Sequence, residues 1–169
     1  MTSQTAYHQL GLLIVQFQQL EATLTEILVL MSNADSEYVK ILTNELGFSQ
    51  RVNTTDVLFS RFVDLLNLKD TESKQREKKS FHKLMTELLE LGKRRNELVH
   101  SKYTGWRNVE GTEGLLKRNS KLKPSDGTRE SKEEELLASS FEPDFANLSK
   151  ASRSIEKHRL TIINWLYPE

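Results

Sequence analysis

The chain has 169 residues, no cysteine, and a formal net charge of zero from 24 basic and 24 acidic residues. That length suits a single domain, 1–169, with a real core, and the missing cysteines exclude disulfides, thiolate nucleophiles and cysteine-ligated zinc. Without a global basic field, any affinity for nucleic acid has to come from a local patch.

Apolar content of 37% is low but compatible with a globular chain that carries a polar insertion. His8, His82, His100 and His158 show no metal-ligand spacing, so neither a metal nor a cofactor is expected. No apolar run reaches about 18 residues and the first ten residues carry no charge, so the expectation is a cytoplasmic protein without a membrane span.

The first predicted helix runs from about Thr5 to Met31. Leu10, Leu13, Ile14, Phe17, Leu20, Leu24, Ile27, Leu28 and Met31 recur at intervals of three and four, a sustained apolar stripe. Leu12, Val15, Val29 and Leu30 add apolar character off that stripe, which fits a central bundle helix or one that also meets a partner chain. Ser32 to Ser36 breaks the pattern and offers caps. A short helix over Glu37–Leu46 follows, ended by Gly47. Ser49 or Asn53 caps the next one, whose Val57, Leu58, Phe62, Leu65 and Leu66 form an apolar face to about Asn67. Lys69 to Ser80 is a run of mixed charge, read as a solvated loop and first helical turns.

A long helix is then predicted from about Thr71 to Ser101. Phe81, Leu84, Leu88 and Leu91 mark its core line, and the next position on that line is Arg95. Tyr103, Thr104, Gly105 and Trp106 read as part of a small β-hairpin between two bundle helices. Tyr103 and Trp106, beside Lys102 and Arg107, suit base stacking and equally suit hairpin packing. Lys117, Arg118, Lys121 and Lys123 form a basic cluster, and the polar composition of 119–135 reads as a mobile loop. Glu142-Pro143-Asp144 opens a last amphipathic helix carrying Phe145, Leu148, Ile155, Ile162 and Leu166. The expected fold is all-α: an up-and-down bundle of four to five helices with an inserted hairpin and loop at about 102–135.

The candidate site is Lys93-Arg94-Arg95-Asn96-Glu97-Leu98-Val99-His100-Ser101. A helix that places an arginine on its buried line must pair it or use it. Asn96 and His100 lie about 40° apart on an ideal helix, with Gly92 on the same line upstream. Histidine transfers protons near neutral pH. Arginine donates a planar, permanently charged fork to phosphate. Arg153-Ser-Ile-Glu-Lys-His158 repeats the Arg-to-His spacing, but no polar residue follows its arginine and it falls mid-helix.

Arg95-Asn96-Glu97-Leu98-Val99-His100 resembles the Arg-polar-x-x-x-His signature of HEPN domains, and more loosely the resemblance extends over 1–101 and 142–167. HEPN domains are all-helical, and many are metal-independent ribonucleases of toxin–antitoxin and antiviral systems. The resemblance implies Arg95, Asn96 and His100 as catalytic residues, with Lys93, Arg94, Lys102 and Tyr103 as RNA contacts. It implies RNA as substrate, a homodimer with both motifs in one cleft, and restraint by a separate antitoxin or defence protein. On an ideal helix Arg95 and His100 stand about 140° apart, so either the helix loosens near Val99 or a second copy completes the site. Gly92 is expected to let two such helices approach closely. The other function class is a non-catalytic helical module that binds RNA, a nucleotide or a protein.

Overall fold

The computed structural model describes residues 5–66 and 70–168. The expected helix end at Asn67 and the opening lysine of the charge run, Lys69, lie outside the described residues. Among the described residues there are five α-helices: α1 (Ala6–Ser32), α2 (Ser36–Thr43), α3 (Phe48–Leu65), α4 (Thr71–Val99) and α5 (Glu142–Leu166). Between α4 and α5 come three strands, β1 (Lys102–Arg107), β2 (Glu113–Lys123) and β3 (Thr128–Leu136).

The all-α expectation is therefore corrected: the chain mixes helices with a three-stranded antiparallel sheet of order β1-β2-β3. The β1–β2 ladder sets Lys102 opposite Arg118 and Arg107 opposite Glu113. The β2–β3 ladder runs from Leu115 opposite Leu136 to Lys123 opposite Thr128. Residues 119–135, read as a loop from their polar composition, instead form the rest of β2, a tight turn and nearly all of β3. Their strand signal is carried by charge rather than by apolar alternation, because opposite charges face each other across the ladder. Arg118 faces and bonds Glu133 at 2.7 Å, Lys117 and Lys121 face Glu134 and Glu130, and Lys123 reaches diagonally to Glu130 at 3.5 Å. Charged side chains also suit β3 as an edge strand, where they discourage pairing with another chain. The turn before β3 is a 3-10 segment, Pro124–Asp126, closed by Gly127 in the left-handed region at φ 60°.

The chain forms two compact units. The first comprises Met1–Phe17 and Lys93–Leu148 and holds the sheet; its buried apolar residues include Leu13, Phe17, Leu98, Leu115, Leu136 and Phe141. The second comprises Gln18–Gly92 and Ser149–Glu169 and is helical. Its centre is aromatic: Phe59 and Phe81 stack with centroids 3.9 Å apart, and Trp165 approaches Phe59 at 6.3 Å. Around these, Leu24, Ile27, Val52, Val63, Leu88, Ile155 and Ile162 are buried. By length and composition α1 is apolar enough to cross a membrane, yet its Leu13, Phe17, Leu20, Leu24 and Ile27 line is core, the pattern of an amphipathic core helix.

Local chemistry explains the helix starts. The Asp35 carboxylate accepts the backbone N–H groups of Glu37 and Tyr38, capping α2. Asp70 does the same for α4 through the N–H groups of Glu72 and Ser73. At α3, Gln50 reaches back to accept the Gly47 N–H at 3.1 Å. The guanidinium of Arg51 donates to the carbonyls of Thr43 and Leu46, groups left over where α2 ends.

Gly92 has a role other than the expected one. A Cβ there would lie 2.6 Å from Cδ1 and 2.7 Å from Cε1 of Phe48, whose ring is buried. The missing side chain makes room for Phe48 of the same chain, so the close approach Gly92 permits is an internal one. Gly92→Ala should lower stability by about 1–3 kcal/mol through overpacking. Urea unfolding of the two proteins side by side measures the difference, and an unchanged midpoint would show that Phe48 moves aside at no cost.

Candidate functional site

The motif closes α4, and its side chains diverge. Helix α4 keeps its α-type geometry up to His100, whose N–H bonds the Asn96 carbonyl at 3.0 Å. No loosening near Val99 brings His100 round towards Arg95. The carbonyls left over at this end are taken by side chains. Ser101 Oγ donates to the Glu97 carbonyl, and the Tyr103 hydroxyl donates to the Leu98 carbonyl at 2.6 Å. Burial pushes the Tyr103 pKa up to about 12, with the Glu134 charge adding to the rise and Arg94 opposing it. The Tyr103 hydroxyl is thus a helix-end cap on a residue of β1. Trp106 packs on the sheet, where a Cβ on Gly114 would meet its ring at 3.1 Å.

Arg94 and Arg95 are both half-buried, and they do different things. Arg94 lies between two carboxylates. Its two terminal nitrogens bond the two oxygens of Glu134, each at 3.1 Å, as a bidentate fork. Its Nε and one terminal nitrogen bond Asp144, at the start of α5, at 3.2 Å. Lys117, itself buried, pairs with Glu134 as well. Burial works against the Arg94 charge, but the bonds to Glu134 and Asp144 outweigh it and hold the guanidinium more firmly protonated than an ordinary arginine. Burial likewise opposes the Glu134 charge, and the bonds from Arg94 and Lys117 win, lowering its pKa. The fork expected to reach a phosphate is already filled by protein carboxylates.

Arg95 sits with its guanidinium carbon 4.8 Å from the centre of the Phe17 ring on α1. A cation over an aromatic face is how this arginine occupies the core line marked by Phe81, Leu84 and Leu88. Leu98, fully buried, continues that line. Asn96 and His100 are exposed, on the outward side of the helix end with Lys93. Their side chains make no hydrogen bond or ion pair among the described residues. Lys102 is exposed at the first position of β1.

A cleft of about 320 Å³ adjoins the motif, lined by Glu97 of α4 and by one face of the β2–β3 pair, including Lys117, Asn119, Lys121, Glu130, Lys132 and Glu134. The basic cluster read from sequence is split here. Lys117 and Lys121 lie on this face, Lys117 spent on Glu134, while Arg118 points to the other face and bonds Glu133. Among the described residues, no group of three or more His, Asp or Glu side chains is placed to hold a metal ion. Sequence reasoning missed Glu134 and Asp144. Their only signal was that an arginine pair on a half-buried helix face needs carboxylates from somewhere.

Comparison with protein-family models, curated proteins and solved structures returns no match.

Arg94→Met would leave Glu134 and Asp144 facing each other without their shared cation. Because the Glu134 side chain is 39% exposed, solvent screens part of the loss. The expected cost is about 1–2 kcal/mol, below that of a fully buried pair. Thermal unfolding of the variant checks it, and a cost near zero would mean that the network positions these elements without stabilising them.

Proposed function

We propose that this chain is a metal-independent endoribonuclease in which Arg95, Asn96 and His100 act on the phosphodiester, two copies of the motif meeting in one cleft of a homodimer. The observation that carries the reading is the state of the two motif side chains at the end of α4. Asn96 and His100 are exposed and make no side-chain hydrogen bond or ion pair among the described residues, and the Arg95 guanidinium is held over the Phe17 ring. An open histidine and amide, facing a charged fork from the second copy, are what transesterification of RNA asks for. One His100 takes the 2′-hydroxyl proton as the 2′-oxygen attacks phosphorus. Arg95 donates to the oxygens on which negative charge accumulates. The 5′-oxygen leaves with a proton, which the second copy's His100 supplies. Asn96 holds the phosphate or the imidazole in place. The attacking group is the 2′-hydroxyl, so DNA is not cut.

The second copy answers a geometric need. Helix α4 stays regular to His100, so Arg95 and His100 of one chain face apart, and a motif from another chain supplies the opposite side. A nuclease of this kind harms its own cell, and the reading includes a separate restraining protein, as in toxin–antitoxin or antiviral systems. The competing reading is a non-catalytic binding module, favoured by one observation: Arg94 is wholly committed to Glu134 and Asp144.

The test is cleavage of a mixed-sequence RNA by the purified protein in EDTA, beside Arg95→Ala and His100→Ala. Loss of a proton-transfer group or of a fork at the phosphorane should slow cleavage by about 10²–10⁴-fold. Sizing with light scattering on the same samples should give twice the chain mass. Cleavage by a clean monomer would remove the composite site. Equal cleavage by all three proteins would remove the assignment of residues.

A further inference from the structure

The second unit holds a polar cleft that the motif does not use. It lies between α4 and α5, encloses about 310 Å³, and has His158 in its lining. His158 is nine-tenths buried, set edge-on to Phe81 at 5.1 Å and to Phe59 at 6.0 Å. A histidine at the heart of an aromatic cluster costs stability that an apolar residue would not. Among the described residues its one hydrogen-bond contact is long, 3.5 Å from Nε2 to Ser80 Oγ. Buried polar groups are almost always better satisfied than this. The imidazole therefore presents an underused nitrogen to the cleft.

The rest of the lining sets three lysines and three hydroxyl groups against two carboxylates, Glu77 and Glu87, and Leu84. Lys83 and Lys157 contribute ammonium groups and make no ion pair among the described residues, and Ser154 adds a second hydroxyl beside Ser80. Lys150 is drawn to Glu87 at 3.6 Å, which leaves Glu77 as the one carboxylate of the lining without an ion-pair partner. No Phe, Tyr or Trp side chain lines the cleft, so it offers no broad stacking platform for a nucleobase. The volume is at the small end of ligand sites.

We propose that this cleft binds a phosphate group, as inorganic phosphate or on a small phosphomonoester, between Lys83 and Lys157 with Ser80, Ser154 and His158 Nε2 as its hydrogen-bonding floor. The chemistry matches the ligand. A phosphate accepts several hydrogen bonds at once and carries the charge that two unpaired ammonium groups lack. Burial, with the Lys157 charge, holds the His158 pKa below its ordinary value against the pull of Glu77. A bound anion shifts that balance towards the imidazolium, so His158 reports on occupancy. This site is independent of the ribonuclease reading and stands or falls without it.

The experiment is a titration of the full chain with inorganic phosphate at constant ionic strength, chloride as the control, following the His158 imidazole resonances by NMR. Glycerol 3-phosphate in a second arm separates the free ion from a monoester. The expected result is a saturable shift that chloride does not produce. It should be at least about tenfold weaker in affinity in the Lys83→Ala/Lys157→Ala double variant. Both lysines are exposed, so that variant keeps its fold. A shift linear in phosphate, or one of equal affinity in the double variant, overturns the proposal.

Discussion

Arg94 has carboxylates on both sides, and the first unit is arranged around that fact. Its fork joins three pieces of chain distant in sequence: the end of α4, Glu134 on β3 and Asp144 at the start of α5. Lys117 on β2 closes on the same Glu134, so the middle of the sheet shares the anchor. A half-buried cation and its carboxylates tolerate little rearrangement, because separating them leaves a charge without a partner. Tyr103 works to the same end, its hydroxyl tying β1 to the last turn of α4. Together these contacts fix where α4 stops and which of its side chains are left open to solvent.

That arrangement gives the two adjacent arginines separate duties. Arg94 belongs to the frame. Arg95, one position on, lies over Phe17, while Asn96 and His100 are exposed. One arginine is bound between carboxylates and its neighbour lies over an aromatic face.

The helices were legible in the sequence because their apolar residues recur at three and four. Leu13, Phe17, Leu20, Leu24 and Ile27 read as one buried line, and they are one. The cap at Asp35 and the acidic start of α5 were legible for the same local reason. The sheet was not. Beyond Leu115 and Leu136, β2 and β3 carry charges matched across the ladder, and such matching appears only once the register is known. Composition alone makes 119–135 look like loop. The site shows the same limit. Helical phase put Arg95 on the core line, and Phe17 shows how that is achieved. Nothing local to Arg94 pointed to Glu134, forty residues further on. Gly92 and His158 were similarly opaque, since each is explained by a side chain remote in sequence, Phe48 for one and Phe81 for the other.

The central claim is that the open histidine at the end of α4 moves a proton for an attacking 2′-hydroxyl. End-group analysis of RNA incubated with the full chain in EDTA addresses it most directly. The account predicts 2′,3′-cyclic phosphate ends opposite 5′-hydroxyl ends, and none of either with His100→Ala. Products with 3′-hydroxyl ends would contradict it, as would RNA left intact by a folded dimer.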